Sequence, residues 1–356
     1  MIKSSDSLRQ TLKALLDGRS LQSDWQTLAP LELTDAGRAA AFGMTASTVK
    51  RQIQQRGEML RLVYSVFCET CDRHLGDPEH HLTTLWQLWL PLAQHLIQQR
   101  QALHRPLIQG VLGGQGSGKT TLGIMLTAIL RTLGYKTLSW SLDDLYKTYA
   151  DRVQLQAHIP QLIWRGPPGT HNVDVGIQVL DQLRQPTAHC SIALPRFDKS
   201  LRNGMGDRVA PELVQDIDIV LFEGWFVGVQ PVDESVFDSA PAPIESLSDR
   251  AFAQDCNRRL RDYLPLWEKL DRLWVLYLPN YHLSKQWRKQ AEARMKASGK
   301  AGMTDAEIEA FVEYFWKALH PELFIRPTLE RADLVIEINP DHSPGAVYRQ
   351  KYPNDQ

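Results

Sequence analysis

Residues 113–120 read Gly113-Gly114-Gln115-Gly116-Ser117-Gly118-Lys119-Thr120, a complete G-x-x-x-x-G-K-[ST] phosphate loop. An apolar run (Leu107, Ile108, Val111, Leu112) precedes it, and a run with helical spacing (Leu122, Ile124, Met125, Leu126, Ile129, Leu130) follows. Strand, glycine loop and helix in that order set a row of backbone N–H groups at a helix N-terminus, where they cradle nucleotide phosphates. Lys119 is expected to reach the β- and γ-phosphates, and Thr120 to hold Mg²⁺ through its hydroxyl. Thr121 completes the stretch expected to bind ATP. The competing reading is a purely structural glycine turn, and the flanking strand and helix patterns argue against it.

Outward from the loop, the chain alternates strand and helix patterns from residue 106 onward. This predicts an α/β fold, a three-layer α/β/α phosphate-loop domain with a mostly parallel sheet. Strands are expected near 107–112, 136–141, 217–223, 272–278 and 333–338. Helices are expected near 119–133, 173–184, 253–270, 281–298 and 304–319. The segment Pro186–Val214 has weak periodicity and many charges, and Val229–Asp249 reads as a loop with a short helix. Upstream, Leu8–Leu16, Thr48–Phe67 and Leu82–Gln99 carry apolar residues at three- and four-residue spacing. They predict an all-α segment over 1–105 with a turn at Gly76-Asp77-Pro78, ahead of the phosphate-loop domain over 106–356.

Bulk composition narrows the class. The 356 residues are 43% hydrophobic and 23% charged, an ordinary globular balance. A net charge of −1 gives no global field to draw nucleic acid or an anionic membrane, and neither is expected as a partner beside a small-molecule substrate. Four scattered cysteines form no disulfide framework. The start, Met1-Ile2-Lys3-Ser4-Ser5-Asp6, has neither signal-peptide nor transit-peptide character. No run approaches the ~20 apolar residues of a membrane span. A cytoplasmic protein is the expectation. Cys68-x-x-Cys71-x-x-His74 has no second ligand pair nearby and reads as a helix face rather than a zinc half-site. Leu85-Trp86-Gln87-Leu88-Trp89 reads as a packing face.

The second strand runs into Leu142-Asp143-Asp144-Leu145-Tyr146. Ligands collect at the carboxyl ends of strands in open α/β sheets, so these carboxylates, with Tyr146, are placed to meet an acceptor hydroxyl. Asp143 is read as the group that orients that hydroxyl and takes its proton. Asp144 is read as a helix cap or supporting group. The third strand, Ile217–Phe222, closes on Glu223-Gly224-Trp225. An apolar strand ending in an acid is the Walker-B pattern and makes Glu223 a candidate Mg²⁺ ligand. Gly166-Pro167-Pro168-Gly169-Thr170-His171 and Pro195-Arg196-Phe197-Asp198-Lys199-Ser200 are polar loops. Their His171, Arg196 and Lys199 are candidate cationic partners for a small anionic acceptor; a solvated loop is the alternative. The basic helix Trp287–Met295, with Gly299-Lys300-Ala301-Gly302 beyond it, suits a lid near 281–305. There Arg288 or Arg294 would neutralise charge on a transferring phosphate; a charged surface helix is the alternative.

Over roughly 106–340 these motifs resemble D-glycerate 3-kinase of the plant and cyanobacterial type, a branch of the phosphoribulokinase/uridine kinase group of P-loop kinases. The stretches that carry the resemblance include 114–120, 142–146, Arg165–His171 and 195–200. They continue with Phe222–Trp225, Trp287–Glu292 and Gly302-Met303-Thr304-Asp305. The resemblance implies Asp143 as the catalytic base and Glu223 as a Mg²⁺ ligand, and Lys119 of the phosphate loop and Arg288 of the lid are read as catalytic beside them. It also implies ATP as phosphoryl donor and the 3-hydroxyl of D-glycerate as acceptor. Asn172 departs from the family pattern, which has an aspartate after the histidine. Two other readings stay open. One is a related kinase for uridine, pantothenate or another small alcohol. The other is a nucleotide-gated binding module whose 1–105 segment meets an unknown protein partner.

Overall fold

A computed structural model describes residues 2–18, 21–185, 190–297 and 302–350. The chain begins with helices α1 (Ile2–Leu16), α2 (Leu21–Thr34), α3 (Ala36–Ala41), α4 (Val49–His74) and α5 (Pro78–Thr84). A π turn at Leu85–Trp89 leads into α6 (Leu90–Leu103). Then follow β1 (Leu107–Gly113), α7 (Lys119–Thr132), β2 (Thr137–Ser141), α8 (Tyr149–His158) and α9 (Val173–Arg184). The chain continues through β3 (Ile192–Asp198), β4 (Asp207–Val214), β5 (Ile219–Gly224), α10 (Leu247–Arg259), α11 (Leu264–Trp267) and β6 (Arg272–Tyr277). It closes with α12 (Leu283–Ala297), α13 (Asp305–Ala318), β7 (Leu334–Ile338) and β8 (Pro344–Tyr348).

The main sheet has the order β2-β5-β1-β6-β7-β8, parallel except for β8. The expected α/β class with a mostly parallel sheet is therefore the observed one, and all five expected strands are in it. Side chains alternate across its faces, as a strand's two-residue period requires. Leu107 and Val111 of β1, with Ile219 and Leu221 of β5, join one core together with α7 and the N-terminal helices. Ile108, Leu112, Val220 and Phe222 join the opposite core, with α9, α10 and α13. Both faces are covered, and so β1 is buried along its whole length.

Four features differ from the sequence expectation, the first being the antiparallel edge strand β8. The weakly periodic stretch before Val214 contains an antiparallel hairpin, β3–β4, outside the main sheet. A further helix, α8, follows Tyr146. The single helix expected over 253–270 is instead α10, a 3₁₀ turn at Leu260–Tyr263 and α11, with Pro265 at the start of the last piece. On α4 Cys71 is buried, Cys68 half-buried and His74 exposed, a partly buried helix face, and Leu85, Trp86, Leu88 and Trp89 are buried in the packing. Among the described residues no helix is long and apolar enough to cross a membrane.

Candidate active site

The parallel register brings the chemistry to one edge. Glu223 on β5 lies between Val111 of β1 and Ser141 of β2. The phosphate loop leaves β1 on one side of it, and Asp143 follows β2 on the other. A cleft of about 1030 Å³ opens along this edge. Gln115, Gly116, Lys119, Thr120, Asp143 and Glu223 all line it.

The loop is held in shape by backbone conformations that favour glycine, with φ of +78° at Gly116 and +90° at Gly118. Gly118 is the N-cap of α7, so the first turn of that helix faces the loop. The Lys119 ammonium donates to the carbonyl of Gly113 (2.7 Å) and to that of Gly114 (3.0 Å). Burial pushes its pKa down, against the pull of Glu223 and Asp143. Ser117, within the loop, is buried, and Thr121, in the first turn of α7, is half-buried; neither is among the residues that line the cleft.

Asp143 sits in a 3₁₀ turn, Leu142–Leu145, capped by Ser141. Lys199 donates to its Oδ2 at 2.6 Å and the Tyr146 hydroxyl donates to its Oδ1 at 2.8 Å. Burial alone would raise this carboxyl. The Lys199 charge and hydrogen bond, with the Tyr146 bond, outweigh it and hold the group below the ordinary carboxylate range. The neighbouring Asp144 is in a supporting position. It accepts from Arg196 Nη1 at 2.8 Å and from the Phe197 amide at 3.1 Å, fastening β3 to the turn.

Two expected acceptor contacts are not in the cleft. Arg196 is engaged between Asp144 and Glu212, with Nη2 2.7 Å from the Glu212 carboxylate. Neither of those acids is close to it in sequence. His171 is buried behind Tyr146, its ring stacked on the tyrosine at 4.5 Å and its Nδ1 2.8 Å from the Tyr263 hydroxyl. Burial takes its pKa from 6.5 down to about 3, against the opposing charge of Asp143. It is a neutral support for Tyr146 rather than a cation. Tyr146, in contrast, lines the cleft alongside Lys199.

On the far wall, α12 supplies Trp287, Arg288 and Ala291. Arg288 pairs with Glu292 at 3.2 Å and lies 5.2 Å from the centre of the Phe311 ring. Arg294 is exposed and does not line the cleft. Trp287 packs against the phosphate loop: a Cβ added at Gly116 would meet its ring at 3.0 Å. Its indole also stacks on His342 at 4.2 Å. The expected lid residues Gly299, Lys300 and Ala301 lie outside the described residues. Beyond them, Glu292 accepts from the Met303 amide at 2.9 Å, which ties α12 to the start of α13.

Sequence reasoning missed the tip of the β3–β4 hairpin, where Asn203, Gly204 and Met205 line the cleft. It also missed Trp164, and it placed Arg165 and Trp225 within motifs without giving either a place in the cleft that they line. Arg165 immediately precedes the Gly-Pro-Pro-Gly turn, and its place in the motif does not by itself tell which way its charge is used.

Hard cations such as Mg²⁺ take oxygen ligands and are commonly bound by one or two protein groups plus phosphate oxygens. Thr120 and Glu223 fit that pattern. No cluster of three or more His, Cys, Asp or Glu that could cage a metal occurs among the described residues.

No protein-family model matches the chain. It is 32% identical over 251 residues to the chloroplastic D-glycerate 3-kinase of Arabidopsis thaliana, a match covering 66% of this chain and 53% of that protein. The chain thus spans about half the length of that relative. It is also 32% identical over 232 residues to an uncharacterized kinase, mug58, of Schizosaccharomyces pombe, covering 63% of this chain and 83% of the relative. Among solved structures, D-glycerate 3-kinase from Cryptococcus neoformans superposes with a TM-score of 0.65 at 28% identity. That superposition covers 74% of this chain and 99% of the other.

Proposed function

We propose, from the premise that this chain belongs to the D-glycerate 3-kinase-like family of P-loop kinases, that it transfers the γ-phosphoryl group of ATP to the 3-hydroxyl of D-glycerate. The products are 3-phosphoglycerate and ADP. The observation that carries this reading is the cleft itself. A phosphate loop with its lysine stands on one side of Glu223, and an ionised, doubly hydrogen-bonded carboxylate, Asp143, stands on the other.

Each residue's part follows from its chemistry. The amides of the loop and the start of α7 bind phosphate oxygens, and Lys119 adds a positive charge to them. Asp143 orients the attacking hydroxyl and accepts its proton. Each of its oxygens keeps a second acceptor site beside the bonds from Lys199 and Tyr146. A strongly basic group is not required, because phosphoryl transfer passes through a loose transition state in which positioning dominates. Thr120 and Glu223 would hold Mg²⁺, which when bound neutralises charge on the β- and γ-phosphate oxygens. Arg288, on α12, supplies a further cation toward the transferred group, and α12 with α13 forms a lid that excludes water.

The test is ADP formation by the purified protein with D-glycerate against L-glycerate, with the phosphate position on the product assigned by NMR. We expect turnover with D-glycerate and phosphate on the 3-oxygen; phosphate on the 2-oxygen, or no ADP, overturns the assignment. The aromatic side chains at the cleft, Trp164 and Phe311, favour a second reading, a bulkier alcohol such as uridine or pantothenate. The same assay with those acceptors decides between the two.

A further inference from the structure

We propose that Arg165 is the anion anchor of the acceptor pocket, and that it sets a preference for short hydroxy acids over neutral alcohols. The proposal rests on the acceptor reading above and deepens it. An acidic acceptor needs a cation that can be given over to it. Lys199 is held on Asp143 at 2.6 Å. Arg288 is paired with Glu292, and Lys119 is fixed on the carbonyls of its own loop. Arg196 and His171 are outside the cleft, as described above. Arg165 lines the cleft and has no carboxylate within 4.0 Å among the described residues. Its protein hydrogen bond runs from Nη1 to the Gly204 carbonyl, at 2.8 Å. The other guanidinium donors, of the five an arginine carries, have no acceptor among the described residues.

Its surroundings concentrate positive charge. The Phe197 ring has the guanidinium of Arg165 at 5.7 Å from its centre and that of Arg152 at 5.0 Å. Arg152 is likewise bonded to carbonyls alone, those of Lys147, Met205 and Gly206. Two guanidinium groups beside one ring repel each other; Asp207 offsets Arg152 through space, but no carboxylate is paired with Arg165 among the described residues, and a bound anion there relieves the repulsion. Arg165 also lies 6.0 Å from the centre of the Tyr146 ring, and that residue's hydroxyl is bonded to Asp143. The cation therefore lies over the ring of the tyrosine whose hydroxyl holds the reacting carboxylate. A molecule with a carboxylate and a hydroxyl a few carbon–carbon bonds apart can engage both. A guanidinium fork matches a carboxylate through paired N–H···O bonds, whereas a neutral alcohol offers it no such partner.

The experiment compares the wild type with Arg165→Gln and Arg165→Lys. Binding of D-glycerate is measured by calorimetry in the presence of a non-hydrolysable ATP analogue. Steady-state kinetics with D-glycerate and with glycerol accompany it. We expect Arg165→Gln to weaken D-glycerate binding and raise its KM by about 10- to 100-fold, the scale of a lost charge-assisted pair. The kcat and the KM for ATP should stay within a few-fold, and the preference for D-glycerate over glycerol should fall by the same factor. Arg165→Lys keeps the charge without the fork and should recover part of the loss. It also keeps the test valid should the glutamine variant melt early. Unchanged D-glycerate binding in Arg165→Gln, or equal losses with both acceptors, overturns the anchor while leaving the kinase reading in place. Wild-type protein that binds D-glycerate but forms no ADP from it overturns the kinase reading, and the anchor then stands or falls on the calorimetry. Wild-type protein that does not bind D-glycerate overturns both.

Discussion

Both oxygens of Asp143 carry a hydrogen bond, one from a cation and one from a phenol. Their balance sets the pH range in which the residue can work. Burial favours the neutral acid; Lys199 is the largest opposing influence, and the net direction is downward from 3.8. The ionised form, which alone can accept the acceptor's proton, is therefore present throughout the range above that value. Replacing Lys199 by methionine removes the main opposition and leaves burial in place, so the carboxyl titrates at higher pH. We expect the acid limb of kcat in Lys199→Met, measured between pH 4 and 8 at saturating ATP, to move upward relative to wild type. Asp143→Asn should show no such limb and a kcat lower by about 10²-fold or more, with ATP binding retained. Superimposable wild-type and Lys199→Met profiles would remove the ion pair from the control of Asp143. The sequence makes residue types legible at this scale, but not their charge state. His171 reads as a cation until its burial makes it neutral, and Arg196 reads as free until Asp144 and Glu212 come round to it.

The elements divide by how much of their pattern is local. All seven residues of β1 are buried, and its apolar run is plain in the sequence. The hairpin β3–β4 is not, because only one side of it meets the core. Ile192, Leu194 and Val214 are buried, while Leu213 is 69% and Val209 42% exposed. Charged residues at Asp207, Arg208 and Glu212 obscure the alternation further. What fixes this hairpin is long-range hydrogen bonding, which a strand pattern does not encode. Arg152, buried on α8, donates to the carbonyls of Lys147, Met205 and Gly206 at 2.6–2.7 Å. Arg208 reaches the Tyr146 carbonyl at 2.8 Å. Since Lys199, Asn203 and Gly204 ride on the hairpin, its anchorage shapes the acceptor side of the cleft and not the phosphate loop. Arg152→Ala leaves the carbonyls it bonds without that partner and should cost about 2 kcal/mol or more of stability, read as a lower urea midpoint. It should also raise the acceptor KM while sparing the KM for ATP. An unaltered midpoint together with an unaltered acceptor KM would show that Arg152 does not hold the hairpin.

At the scale of the whole molecule, the helices before Leu107 form part of one outer layer of the sandwich. Leu8, Leu12, Leu60, Val63 and Phe67 share a core with Met125, Leu126 and Ile129 of α7 and with Leu107, Leu221, Trp274 and Ile336 of the sheet. Within that layer Arg56 and Glu32 form a buried ion pair at 2.9 Å, and Glu32 also accepts from the Trp86 indole. Arg100 reaches Asp218, just before β5, at 3.1 Å. The helical periodicity of 1–105 and its apolar faces are legible in the sequence. The surface those faces cover is not, because it is assembled from α7 and from β1, β5, β6 and β7, the last of which lies more than 200 residues beyond the segment. Treating 1–105 and 106–356 as independent folding units is thus a proposal with a definite test. Deleting residues 1–100 would bare one face of the sheet and the outer side of α7, the helix that begins with Lys119. Each large side chain that loses its cover forfeits roughly 1.5–3 kcal/mol, and a handful of them reaches the roughly 5–15 kcal/mol by which domains are stable. We expect the truncated protein to bind a hydrophobic dye, to melt without a cooperative transition and to lose ATP binding. A truncated protein that melts cooperatively and turns over at the full-length rate would establish 106–356 as a self-sufficient domain, and would leave the N-terminal helices free for a separate role.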